Sequence, residues 1–132
     1  MIQEYVENIM RNGINNFATK HEKTIDEVQI LISWNEEEQR PNYKKMIQGE
    51  GSIPVTFNQI LDVRFDMMNR EAMCGSFITK TLDRFSKELD CAMSNLFVVI
   101  YLMATDDGDE VKLHLYRGNE AIKEIILEEI LI

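Results

Sequence analysis

The stretch LFVVIYLMATDDGDEVKLHLYR, residues 96–117, decides the fold class. Leu96 to Ala104 is an unbroken apolar run, a strand apolar on both faces and so expected at the centre of its sheet. Asp106-Asp107-Gly108-Asp109 follows, and Asp-Gly between apolar runs is a two-residue hairpin signal. Val111, Leu113 and Leu115 then alternate with Lys112, His114 and Tyr116, the period of a half-buried strand. With Asp107-Gly108 as the turn, Ala104 pairs with Val111, Leu102 with Leu113 and Ile100 with Leu115, so the core residues share one face. The same register sets Tyr101 opposite His114, Val99 opposite Tyr116 and Met103 opposite Lys112.

Upstream, Val28, Ile30, Ile32 and Trp34 alternate with Gln29, Leu31 and Ser33 and read as another strand. A polar connection with Glu36, Glu37, Glu38 and Pro41 leads to a weaker strand near Tyr43 to Gln48, which Gly49 and Gly51 end. Before these strands, Ile2, Val6, Ile9, Met10, Gly13, Ile14 and Phe17 recur at helical spacing. After them, Thr56 and Gln59 form a capping box, and Val55 and Ile60 a hydrophobic staple. An apolar stripe runs from Phe57 to Ala72 and resumes with Ile78, Leu82, Phe85 and Leu89, as one long helix or two that break at Gly75. Past Gly118-Asn119, the spacing of Ala121, Ile122, Ile125, Ile126 and Ile130 favours a final helix over 120–131. No internal repeat is visible. The expectation is one α+β domain over 1–132: a mostly antiparallel sheet of about four strands, helices on one face, in the order α-β-β-α(α)-β-β-α.

Fourteen Lys+Arg against 23 Asp+Glu give a net charge of −9, concentrated in residues 22–38 and 96–132. Such a surface repels phosphate backbones and anionic lipid heads, which disfavours direct nucleic-acid or membrane binding. The N-terminus lacks the pattern of a signal peptide, and no apolar run reaches the length of a membrane span. Cys74 and Cys91 are too few for a disulfide framework, so a cytoplasmic setting is expected.

No glycine-rich phosphate loop, zinc-ligand spacing, nucleophile elbow or calcium loop occurs. No enzyme activity, cofactor or metal is therefore expected. The leading reading is a small acidic interaction or regulatory module, an inhibitor or adaptor, acting by surface complementarity on a protein partner with a basic surface. The alternative is a domain binding a nucleotide or metabolite. The candidate interaction surface is Tyr101, His114, Tyr116 and Lys112 on one face of the second hairpin, with Arg117 at its end as a fork for anions. Glu36, Glu37 and Glu38 are the acidic candidate for the basic partner. A homodimer through the uncovered side of the sheet completes the expectations.

Overall fold

The computed structural model describes residues 2–55 and 67–125, with the side chains of 2–6, 9 and 67–77 left aside. Helix α1 (Ile2–Lys20) leads through a 3-10 turn (Ile25–Glu27) to strands β1 (Val28–Asn35), β2 (Arg40–Ile47) and β3 (Gly51–Val55). Helix α2 (Met67–Leu89) leads through a second 3-10 turn (Met93–Asn95) to β4 (Leu96–Thr105), β5 (Gly108–Arg117) and β6 (Glu120–Ile125). The six strands form one sheet in the order β3-β2-β1-β4-β5-β6, and every neighbouring pair is antiparallel.

This corrects the expected four-stranded architecture at two places. Gly51–Val55 is a strand rather than the end of one; Pro54 cannot donate to a ladder, and β3 is accordingly an edge strand. Glu120–Ile125 is also a strand, not the start of a helix. A bulge between Leu115 and Tyr116 in the β5–β6 pairing shifts the phase of β6. Ile125 is thus buried opposite Leu113, while Glu124 lies opposite His114 on the other face. Helical spacing of Ile122 and Ile125 is what a bulged strand also produces. The remainder of the expected final helix lies outside the described residues, as do the Thr56 cap, Gln59 and Ile60.

The second hairpin keeps its expected faces but not its expected register. Ala104 pairs with Asp109, Leu102 with Val111, Ile100 with Leu113, and Thr105 with Gly108. The two loop residues are Asp106 and Asp107, and the positive φ falls on Gly108 at 119°. The shift is by two residues, so each side chain stays on the face that alternation assigns it.

Both helices pack on the same side of the sheet. Met10, Ile14, Phe17 and Ala18 of α1 and Ile78, Leu82 and Phe85 of α2 meet Val28, Ile30, Ile32, Val98, Ile100, Leu113 and Leu115 in one core. The α2 backbone is continuous through Gly75. On its outer side Asp83 holds Lys87 at 3.1 Å and Arg84 holds Glu88 at 3.2 Å.

Each half of the chain is the same unit: helix, 3-10 turn, three-stranded meander. Ile14 and Phe17 stand in α1 where Leu82 and Phe85 stand in α2. Both helices end on a left-handed residue, Glu22 at φ 57° and Asp90 at φ 52°. Behind these, the Lys23 N–H donates to the Ala18 carbonyl (2.8 Å) and the Cys91 N–H to the Ser86 carbonyl (3.1 Å). The 3-10 turns match as well, with Glu27 N–H to Thr24 carbonyl and Asn95 N–H to Ala92 carbonyl, both at 3.0 Å. β1 and β4 pair across an approximate two-fold that passes between Leu31 and Val99. The repeat is structural and leaves little trace in residue identity, which is why the sequence does not display it.

A candidate interaction face on the open side of the sheet

No described helix covers the second side of the sheet. One row of aligned residues crosses all six strands there: Pro54, Lys44, Leu31, Val99, His114 and Glu124. Ser33 opposite Phe97, and Phe97 opposite Tyr116, begin the next row. The middle of this face is apolar and aromatic. Val99 is 8% exposed, Leu31, Phe97, Tyr101 and Tyr116 are half-buried, and Met103 is 42% exposed.

Phe97 and Tyr116 stack across β4 and β5 with centroids 5.4 Å apart and planes within 1°. The actual register places Tyr101 opposite Lys112 and Val99 opposite His114. Tyr101 nevertheless reaches His114 diagonally, hydroxyl to Nε2 at 3.3 Å and ring to ring edge-on at 5.3 Å. Lys112 lies between Glu124 (3.1 Å) and Glu110 (3.7 Å). Its hydrogen bond to Glu124, helped by the two carboxylate charges, holds the ammonium above the usual lysine value.

Tyr101, Lys112, His114 and Tyr116 are thus brought together. Arg117 is not: it pairs with the buried Leu96, on the opposite side of β5 from Tyr116, and its guanidinium is 3.7 Å from Glu120. Glu36, Glu37 and Glu38 are exposed in the β1–β2 connection, beyond the end of the sheet, and Glu38 holds Arg40 at 2.6 Å. Leu31, Lys44, Phe97 and Glu124 belong to the face and were overlooked. The alternation of Gln29, Leu31 and Ser33 points to Leu31, whereas finding Lys44 and Glu124 requires the full strand order.

Two further places hold polar groups. At one end of this same face, where Gln29, Met46 and Ser52 align, an open groove of about 410 Å³ is also lined by Asp26, Glu27, Ile47, Gln48 and Gly51. The Glu27 carboxylate accepts from the Thr24 N–H (3.0 Å) and hydroxyl (2.8 Å), which holds it below the usual carboxylate range. On the helix side, Lys45 is only 7% exposed, with Nζ 2.5 Å from His21 Nε2 and 5.0 Å above the Phe17 ring. His21 Nδ1 is 4.0 Å from Glu50. Burial pushes the Lys45 ammonium below the usual lysine value; Lys20 adds to this and Glu50 opposes it. Sequence reading had no signal for this cluster, because Lys45 occupies a core position in a strand with weak alternation.

Cys91 is half-buried and free, and the side chain of Cys74 lies outside the described residues. Among the described residues no group of His, Cys, Asp or Glu side chains could hold a metal, and no helix is long and apolar enough to cross a membrane. No known family model, curated protein or solved structure matches this chain.

Proposed function

We propose that this chain is a protein-interaction module that pairs with a second copy of itself through the face of its sheet that no described helix covers. The observation that carries this reading is the apolar, aromatic centre formed there by Leu31, Phe97, Val99, Tyr101 and Tyr116 on the middle strands. Tyr and Phe in a stacked, pre-ordered arrangement offer large contact area at little entropic cost. Charge supports the choice of a second copy. In a chain of net charge −9, the strands of this face carry Arg40, Lys44 and Lys112 against Glu110 and Glu124, so two such faces meet without the repulsion of the whole. Acidic residues sit instead at the ends of the sheet, in Glu36-Glu37-Glu38 at one end and Asp26, Glu27, Asp106 and Asp107 at the other. Pairing leaves these acidic ends free for a basic partner. A nucleotide reading is less well supported, because the groove beside β2 and β3 presents two carboxylates and no cation to a phosphate.

Light scattering at high micromolar concentration tests the proposal. The expected mass is close to twice 15.4 kDa, falling to the single-chain value when Tyr101 and Tyr116 are both replaced by alanine, with the variant soluble and folded. A wild-type chain that stays monomeric, or a variant that stays dimeric, overturns it.

A further inference from the structure

We infer that the two copies stack open face on open face about a two-fold axis close to the strand direction, which sets Lys44 of each copy against the Glu124 edge of the other. This rests on the dimer reading above and adds its geometry.

The argument starts from the row that crosses the sheet. Lys44 lies on one side of the central Leu31–Val99 pair, and His114 and Glu124 lie on the other. The face is therefore electrically lopsided. Its β2 side carries Lys44, with Arg40 already held by Glu38, and its β5–β6 side carries Glu110 and Glu124 with Lys112 shared between them. Lys44 is exposed and makes no ion pair among the described residues, and Glu124 keeps 48% of its side chain exposed although it holds Lys112.

Two packed sheets keep their strands roughly aligned, within about 30°. Two kinds of two-fold axis then lie between the faces. An axis across the strands places β2 on β2, so Lys44 meets Lys44 and Glu124 meets Glu124. An axis along the strands exchanges the two sides, so Lys44 meets the His114–Glu124 side of the other copy. Like charges brought together at an interface are costly, and opposite charges set register. Only the second axis brings Lys44 onto the His114 strand, one strand from Glu124, while the apolar centres still coincide. Six strands spaced about 4.8 Å apart and roughly 20 Å long give a footprint of about 500 Å² per copy. The pair therefore reaches on the order of 1,000 Å², the threshold for a specific interface.

The test uses the full chain and four proteins: wild type, Lys44→Glu, Glu124→Lys and the double variant, compared by sedimentation equilibrium. Each single reversal sets like charges together twice per dimer and should weaken dimerisation at least tenfold. The double variant should dimerise more tightly than either single variant, short of wild type because Lys112 loses Glu124, and thermal midpoints should confirm that all four are folded. A dimeric wild type whose single variants dimerise unchanged overturns this axis, while the tyrosine substitutions still decide the face. Loss of the dimer in the double variant as well also overturns it. A monomeric wild type overturns both readings together.

Discussion

Glu22 and Asp90 end the two helices in left-handed backbone, at φ 57° and 52°. The position favours glycine, and a side chain there costs roughly 1–2 kcal/mol. Asp tolerates this backbone better than Glu does. Glu22→Gly should therefore stabilise the fold by about 1 kcal/mol, read as a higher midpoint in urea, and Asp90→Gly by less. The Lys45–His21 contact is the other departure at this scale. Lys44 lies opposite Leu31 as His114 lies opposite Val99, so Lys45 answers to Leu115 and, along the helices, His21 answers to Leu89. One half thus buries a cation where the other buries leucine. The folded state holds the Lys45 proton less tightly than the unfolded chain, whose value is near 10.5. Between the lowered value and 10.5 the unfolded chain binds more protons, so this group makes stability rise with pH across that window. Below that window the cost of the buried charge is carried in full. Replacing Lys45 and His21 together by leucine should raise stability at pH 7 by on the order of 1 kcal/mol and remove that alkaline rise. A double variant less stable than wild type at pH 7 would show that the pair contributes more than it costs.

Equivalent positions in the two helices should behave alike. Ile14 and Leu82 are both fully buried against the sheet, so Ile14→Ala and Leu82→Ala should each cost about 2–5 kcal/mol. A near-neutral result at either would place that helix off the core. Gly108→Ala is a backbone test: no neighbour lies within 4 Å of an added Cβ, yet φ is 119°, so any loss of about 1 kcal/mol or more reports conformation alone. Elements were legible where a single rule governs them. The alternation in β1 and β5 assigned their faces, β4 took its faces from its pairing with β5, and the stripe Ile78, Leu82 and Phe85 assigned the buried side of α2. Register was not legible, because shifts by two residues keep every face and only the turn distinguishes them. β6 was misread because its bulge imitates helical spacing, and β3 because Gly51 and Pro54 are breakers everywhere except at a sheet edge.

At the scale of the whole molecule, the candidate face was half legible. Tyr101, Lys112, His114 and Tyr116 follow from one hairpin, whereas Leu31, Lys44 and Glu124 join them only through the order of all six strands. If the proposed charge pairs set the dimer, raising salt should weaken it modestly and leave the folded chain intact, measured by concentration-dependent sedimentation. An opposite response, tighter association with salt, would assign the interface to apolar contact alone. The joint between β1 and β4 has a consequence for how the chain acquires its structure. Strand pairs within each meander connect neighbours along the chain and close quickly, but Ile30 finds Ile100 only after a long loop is closed. Meeting of the two halves should therefore limit the refolding rate. At high protein concentration the first half of one molecule can meet the second half of another and build the same sheet. Such strand-exchanged dimers should form on concentrated refolding, persist on dilution, and be indifferent to charge reversal at Lys44.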